Sequence, residues 1–467
     1  MNKLEALIAI LGGGPAGYVA AIRAAQLGAS VVLIEEKELG GVCLNQGCIP
    51  TKTLLQNSAV ANLVSKSREY GVESSASKID WSSAWSRKER VVKSLRQGIG
   101  QLMTENKITV VGGKGSIISL GKIKVTTPGG EQEIPYKKLL ITVGSEPSLP
   151  NIPGIDLEGV MTSNEALELT ALPESLIILG AGVIGLEFAE MFKQAGTKVT
   201  VIEVEDRILC QEDKECSEEL YKILKRSGIG FKLDAVVTRI AKENNGLQVS
   251  VLEKEKETIY SAGKILVATG RKPRTKMLGL KNLGLKLDKN GAIPVDEKLE
   301  TMVKGIYAAG DVTGGRQLAH LAFAQGKCAV ENALGLTGKI NNYAVPSCIY
   351  THPELATVGM SEAEAISQGI PVQVGRFFFR QNGRALANGQ REGFVKITIH
   401  KDSHIILGGQ ILGEQASEMI SELTLAIALQ AKAEILADMI HPHPTLSEAV
   451  MEACADAVGR AIHKSRK

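Results

Sequence analysis

Two segments of this chain repeat one pattern, and the repeat limits what the chain can fold into. In the first, the apolar run Leu7-Ile8-Ala9-Ile10-Leu11 leads into Gly12, Gly14 and Gly17 spaced as G-x-G-x-x-G. An alanine-rich stretch from Tyr18 to Leu27 follows, then Val31-Val32-Leu33-Ile34 and Glu35. In the second, Leu176-Ile177-Ile178-Leu179 leads into Gly180, Gly182 and Gly185, a helical stretch from Leu186 to Ala195, and Val199-Thr200-Val201-Ile202 ending at Glu203. Uninterrupted apolar runs suit strands buried on both faces of a parallel sheet. The first glycine permits a tight turn, the second lets backbone N–H groups approach a pyrophosphate, and the third lets helix pack on strand. Gly28 and Gly196 end the two helices as C-terminal caps would. In both copies an acid stands eighteen positions after the third glycine (Gly17 to Glu35; Gly185 to Glu203), where it can accept hydrogen bonds from a ribose. One such motif also occurs in ordinary tight turns. Two copies in register predict an α/β chain with two Rossmann-like dinucleotide-binding domains.

With 467 residues the chain has room for about three domains. Its net charge of +3 is too small to argue for nucleic acid or a membrane surface as partner. No apolar run reaches the ~20 residues of a membrane span, and no signal-peptide pattern opens the sequence. Seven cysteines, an odd number spread along the chain, make no secreted disulfide framework. A reducing, cytoplasmic compartment is therefore expected. The short basic end His463-Lys464-Ser465-Arg466-Lys467 reads as a solvated tail.

Cys43 and Cys48 stand inside Gly40-Gly41-Val42-Cys43-Leu44-Asn45-Gln46-Gly47-Cys48-Ile49-Pro50-Thr51-Lys52, just after the first fingerprint. A disulfide closing so small a loop stabilises by only about 2 kcal/mol. A redox role explains the pair better than a structural staple. Cys210, Cys216, Cys328, Cys348 and Cys454 lack informative spacing and read as small buried hydrophobes; no metal ligand set is expected. Two dinucleotide sites and a dithiol suggest an electron relay, with a flavin dinucleotide held in one site and a nicotinamide exchanged in the other. Thr142-Val143-Gly144, Ala268-Thr269-Gly270 and Ile306-Tyr307-Ala308-Ala309-Gly310-Asp311 mark the ends of three further apolar segments. Asp311 is placed to hold a polyol such as a ribityl chain, a helix N-cap being the plainer reading.

Together with His441-Pro442-His443-Pro444-Thr445-Leu446-Ser447-Glu448 near the C-terminus, these residues resemble the dithiol-containing flavoprotein disulfide reductases, and among them the dihydrolipoyl-oxidising branch. The resemblance covers nearly the whole chain. It implies an FAD-binding domain over 1–146, an NAD-binding domain over 147–271, the rest of the FAD-binding and central region over 272–342, and an α/β dimerisation domain over 343–467. It implies that Cys43 meets substrate and that Cys48 lies against the flavin as a charge-transfer thiolate. Lys52 approaches the flavin ring and pairs with Glu187, while Gly12, Gly14, Gly17, Glu35, Gly115, Asp311 and the Gln317-Leu318-Ala319-His320 segment bind FAD, with Ala319 in contact. Gly180, Gly182, Gly185, Glu187, Glu203, Val237 and Gly270 fall to NAD. The sequence departs from the family pattern at Thr142-Val143, which displaces a hydroxyl near the flavin, and at Val42 and Pro442.

The C-terminal histidine fits the chemistry. Thiol–disulfide exchange needs a thiolate, and a free cysteine is mostly protonated near neutral pH. A histidine can take that proton and hold it. By the resemblance His443 is the catalytic base, Glu448 its orienting partner and His441 a structural residue. The base reaches the dithiol of the other subunit, so the expected assembly is a homodimer. Phe394 to Ile399 alternates like a strand, Ile405 to Leu412 is another apolar segment, and Ser417 to Ala431 has helical periodicity. The implied activity is NAD-dependent oxidation of dihydrolipoyl groups carried on lipoyl domains of 2-oxoacid dehydrogenase or glycine-cleavage complexes. A sister reductase of glutathione or another disulfide running from NADPH is the nearest alternative. Glu203 speaks against it, because a carboxylate there repels a 2′-phosphate, although Arg207 lies close in sequence. Mercury reduction is disfavoured by the lack of a C-terminal cysteine pair, and a non-enzymatic scaffold by the presence of both cysteines and His443.

Overall fold

The computed structural model describes residues 6–74, 79–243 and 246–464. The N-terminal fingerprint builds the first sheet. Strand Ala6–Leu11 lies parallel between Val31–Glu35 and Gly130–Ile141; Thr109–Gly112 continues the sheet beside Val31–Glu35. Ile8 to Leu11 are buried, as the continuous apolar run requires. The helix Pro15–Gln26 presents Ala20, Ala21 and Ala24 to the core. Its small residues let the helix Ala319–Ala333 pack closely: a Cβ on Gly326 would fall 2.2 Å from the Ala16 carbonyl oxygen. Late in the chain Ile306–Ala308 returns to this sheet, pairing parallel with Gly130–Ile141.

The second fingerprint builds a second parallel sheet in the order Gly230–Lys232, Lys198–Ile202, Ser175–Leu179, Lys264–Val267, Val160–Met161. The helix Val183–Gln194 packs on one face. An antiparallel meander of Ala235–Glu243, Gly246–Glu253 and Lys256–Ala262 covers the other. The two crossovers between these units run side by side, because Arg271–Pro273 pairs antiparallel with Ser145–Pro147.

The C-terminal sheet is antiparallel, in the order Ser347–Ile349, Glu354–Gly359, Ile406–Gly413, Phe394–His400, Val372–Phe378. Helices Ala416–Ala428, Ala433–Asp438 and Glu448–Ala457 pack on one face. The strand expected at Phe394 to Ile399 forms, and all six of those residues are buried. The charged member, Lys396, is enclosed by carboxylates, its ammonium 3.0 Å from Asp213, 3.2 Å from Glu215 and 3.0 Å from Glu362.

Two expectations need correction. Cys216, Cys328 and Cys454 are buried, but Cys210 and Cys348 are only partly so. The C-terminal end is not simply solvated: His463 Nδ1 lies 2.6 Å from Glu452 and Lys464 Nζ 2.6 Å from Asp456. Residues 465–467 lie outside the described residues.

Candidate active site

A cavity of about 1110 Å³ opens where the first sheet, the helix Cys48–Ser65, the helix Val183–Gln194 and the C-terminal domain converge. That is the size of a pocket for a large cofactor. Its wall includes Gly12, Gly14, Glu35, Cys43, Cys48, Lys52, Gly115, Glu187, Asp311 and Ala319, residues spread over most of the chain.

The dithiol is presented by the glycine run. Gly40 and Gly41 have φ of 93° and 57°, which turns the chain into the short helix Gly41–Gln46 that carries Cys43. Cys48 then opens the helix Cys48–Ser65, where backbone N–H groups favour an anion. Both thiols are free, and they differ. The hydrogen bond donated by Cys43 lowers Cys48 to about 7, with help from the Lys52 charge and against burial and Glu187. Cys43, donating that bond and partly buried, is pushed far up. In the dithiol state this pairing favours the negative charge on Cys48 and the proton on Cys43.

Lys52, one turn into the same helix, donates to Glu187 Oε1 at 2.9 Å and Oε2 at 2.8 Å. Glu187 follows the second fingerprint in sequence, yet its carboxylate faces this cavity. It also accepts from the Tyr350 amide at 3.0 Å, and the Tyr350 ring centroid lies 4.4 Å from Lys52 Nζ. Tyr350 escaped the sequence reading. No local pattern marks it, since only the packing of the C-terminal domain brings it here.

The glycines divide by position. A Cβ on Gly17 would lie 1.8 Å from the Gly12 carbonyl oxygen, and one on Gly185 would lie 2.0 Å from that of Gly180. These third glycines are required by helix–strand contact. A Cβ on Gly14 would meet nothing nearer than 3.7 Å, and one on Gly182 nothing within 4 Å. The second glycines thus face open crevices, the side from which a pyrophosphate would approach. In each loop the paired acid bonds the turn: Glu35 accepts from Gly13 N at 2.6 Å, and Glu203 from Ala181 N at 2.5 Å. A Cβ on Gly115 would fall 2.3 Å from Leu11 Cδ1, the end of a side chain that would have to turn aside.

Asp311 is not an N-cap. The turn Asp311–Thr313 is capped by Gly310, with no side-chain cap bond. Its carboxylate instead accepts from Ser145 Oγ at 2.6 Å, and Arg271 Nε donates to the same hydroxyl at 2.8 Å. Burial lowers Arg271, and Asp311 opposes that shift. Ser145 and Arg271 were also missed, for want of any sequence signal. The N-terminus of the helix Ala319–Ala333, free of any capping side chain, ends at the cavity wall. Thr142, whose hydroxyl was expected to be displaced near a flavin, donates it to Leu11 O at 3.1 Å and Gly12 O at 2.8 Å, tying the first glycine turn to the sheet.

His443 is not part of this cavity in its own chain. It stands on the C-terminal domain with its side chain 79% exposed and Nδ1 2.9 Å from Glu448 Oε1. Partial burial pushes Glu448 up, but the Thr445 N–H and His443 outweigh it and hold the carboxyl below its ordinary value. The His441 side chain, by contrast, is only 3% exposed and lies between Glu422, 3.0 Å away, and the Met439 carbonyl oxygen. On the helices of the same domain and the segment leading to His443, the side chains of Leu425, Leu429, Ile435 and Ile440 are exposed. Large apolar side chains left exposed in number are what a surface covered by another chain would show.

Residues 7–326 match the family model described as pyridine nucleotide-disulphide oxidoreductase, and residues 345–454 match the dimerisation domain of the same family. The chain belongs to the pyridine nucleotide-disulphide oxidoreductases. It is 43% identical over 471 residues to a dihydrolipoyl dehydrogenase of Bacillus subtilis, covering 98% of each chain. It is 39% identical to the mitochondrial dihydrolipoyl dehydrogenase of Dictyostelium discoideum, covering 98% of this chain and 95% of that one. Among solved structures it is similar to LpdA of Mycobacterium tuberculosis, at a TM-score of 0.90 and 28% identity over 97% of this chain and 99% of that one. It is also similar to the HOCl-induced flavoprotein disulfide reductase RclA of Escherichia coli in a Cu(II) complex, at a TM-score of 0.88 and 32% identity over the same shares.

The expected fold class and enzyme class hold: this pyridine nucleotide-disulphide oxidoreductase is an α/β flavoprotein that uses FAD and a pyridine nucleotide and acts at a sulfur–sulfur centre. The residues fit those cofactors, with two glycine crevices each faced by a carboxylate. Arg207, the one guanidinium considered for a 2′-phosphate, is already engaged. It donates to Glu212 O at 3.1 Å, Ser217 Oγ at 3.2 Å and Cys210 O at 2.5 Å. Gly270 is exposed just past the strand Lys264–Val267, and Val237 is half-buried on the meander; neither lines the main cavity. Among the described residues no helix is long and apolar enough to cross a membrane, and no metal-ligating group occurs.

Proposed function

We propose that this protein is a dihydrolipoyl dehydrogenase that oxidises protein-bound dihydrolipoyl groups and reduces NAD⁺ through Cys43, Cys48 and FAD. The observation that carries the reading is the placement of the free Cys43 and Cys48 thiols at the wall of a cofactor-sized cavity, with the Lys52–Glu187 pair one turn on from Cys48. The near-full-length likeness to dihydrolipoyl dehydrogenases supports it. In this reading Gly12, Gly14, Gly17, Glu35, Lys52, Gly115, Asp311 and Ala319 hold FAD. Gly180, Gly182, Gly185, Glu203, Val237 and Gly270 hold NAD, with Glu187 joining the two regions through Lys52. Residues 1–146 and 272–342 form the FAD-binding and central part, 147–271 the NAD-binding domain and 343–467 the interface domain of a cytoplasmic homodimer.

The reaction starts from the Cys43–Cys48 disulfide. The partner subunit's His443, oriented by its glutamate, takes the proton of one dihydrolipoyl thiol. The resulting thiolate attacks Cys43 Sγ; the bond between the cysteines breaks and Cys48 leaves as a thiolate. The second substrate sulfur, losing its proton, attacks the substrate sulfur of this mixed disulfide and expels Cys43, which is protonated as the cyclic lipoyl disulfide forms. Two electrons then reside on the dithiol, with Lys52 and the Cys43 thiol stabilising the Cys48 charge. The bound flavin and nicotinamide supply two-electron transfer from that dithiol to NAD⁺. Lipoyl domains of 2-oxoacid dehydrogenase or glycine-cleavage complexes are the proposed carriers of the substrate.

Steady-state turnover with dihydrolipoamide and NAD⁺, set against glutathione disulfide with NADPH, tests the proposal. Substantial rates only in the first assay support it. A preference for the second pair overturns it in favour of the sister reductase, against which Glu203 and the engaged Arg207 argue.

A further inference from the structure

The helix Val183–Gln194 carries two buried carboxyl groups one turn apart, and only one has a cation. Glu187 takes Lys52 and the Tyr350 amide. Glu190, 4% exposed, accepts from the His352 amide at 2.7 Å and from Gln194 Nε2 at 2.6 Å. Among the described residues no Lys, Arg or His side chain pairs with it. Lys52 is committed to Glu187. The His352 imidazole is turned to Glu414, 3.3 Å away, and Glu354 takes the Ser417 amide. A buried carboxylate without a counter-ion is costly and sheds its charge by keeping a proton. Burial pushes Glu190 up to about 8; Glu187 adds to the shift and the His352 amide opposes it. The Gln194 amide can turn its oxygen toward a protonated Glu190, so both partners remain satisfied.

The two carboxyl groups grip alternate residues of one segment. Tyr350 is seated on Glu187 and His352 on Glu190, and the Tyr350 ring lies on Lys52. The segment belongs to the C-terminal domain and the two carboxyl groups to the second fingerprint helix. Lys52 is one turn from Cys48 and stabilises its thiolate.

We propose that Glu190 is a positioning residue for the redox centre: as a neutral acid it seats the His352 amide, holds the Tyr350 ring against Lys52 and so keeps the ammonium directed at Cys48. This rests on the proposed role of Cys48 beside FAD.

The test uses FAD-loaded enzyme in a Cys43→Ser background, which isolates Cys48. The pH dependence of the long-wavelength thiolate absorbance gives the apparent pKa of Cys48. Infrared difference spectra against Glu190→Gln report the protonated carboxyl group. Glu190→Gln keeps an acceptor for the His352 amide without any charge, so it should titrate as the Cys43→Ser parent does. The parent should show a carboxylic-acid band that fades near pH 8 and is absent from Glu190→Gln. Glu190→Leu removes the acceptor and should raise the Cys48 pKa by about half a unit or more. Three outcomes overturn the proposal: Glu190→Leu titrating like the parent, Glu190→Gln shifting as Glu190→Leu does, or no carboxylic-acid band unique to the parent. If Glu190→Leu does not fold, the Glu190→Gln titration and the infrared band still decide. Absence of any thiolate absorbance in the parent would count against the role of Cys48 instead, and the infrared band would still judge the protonation of Glu190.

Discussion

Lys52 and Glu187, 135 positions apart in sequence, form a two-pronged ion pair at 2.9 and 2.8 Å. The pair joins the helix that begins at Cys48 to the helix that follows the second fingerprint. Glu187 is almost fully buried, whereas Lys52 keeps about a third of its side-chain exposure. The pair therefore positions a cation beside a thiolate at the cost of burying a carboxylate. Removing the cation strands that carboxylate.

Lys52→Met should lower stability by about 2–3 kcal/mol, read by urea unfolding. The Cys48 pKa should rise, because the lost ammonium favours the thiolate. Lys52→Met with an unchanged Cys48 titration would show that the Cys43 hydrogen bond alone sets it.

Cys48 should titrate near pH 7 in the reduced enzyme, well below the usual ~8.5 of a cysteine. The sign follows: the contribution of this thiolate to the stability of the reduced fold is full above the unfolded value and fades as pH falls through about 7. Anaerobic reduction by NADH at pH 8 should produce a long-wavelength absorbance band that weakens on acidification and is absent in Cys48→Ser.

Gly17→Ala and Gly14→Ala should separate folding from cofactor retention. The first places a Cβ 1.8 Å from the Gly12 carbonyl oxygen, so both thermal stability and bound flavin should fall. The second places its nearest contact at 3.7 Å, so the apoprotein should keep its melting temperature while the flavin-to-protein ratio drops.

His443→Gln should slow dihydrolipoamide turnover by roughly 10²–10⁴-fold, the range for loss of a general base. NADH oxidation by an artificial electron acceptor should be spared. Glu448→Gln should give a smaller loss of the same kind, since Glu448 acts through the ring it orients. Mixed dimers of Cys48→Ser and His443→Gln chains should regain one working site per dimer; complete inactivity of verified hybrids would contradict a site shared between subunits.

Much of this site is legible in the chain because its parts are local. A glycine turn and the acid at the end of the next strand are fixed by strand and helix lengths, so spacing alone marks Gly12 to Glu35 and Gly180 to Glu203. The cysteine pair declares itself because so short a loop has little structural use. What stayed hidden is what another part of the chain covers. Lys396 alternates with apolar neighbours as an exposed lysine would, but Asp213, Glu215 and Glu362 enclose it. Cys348 looked like core filler, yet it lines the cavity.

The sequence by itself determined two dinucleotide-type folds, a redox-capable cysteine pair and a histidine followed by its acid, because each is written in contiguous residues whose spacing obeys backbone geometry. Only the tertiary structure decided that Arg207 is already occupied, that Lys396 is enclosed, and that Ser145, Arg271, Tyr350 and Glu190 surround the centre. Those outcomes depend on burial and on distances of a few ångströms between segments more than a hundred residues apart, and no short-range pattern encodes them.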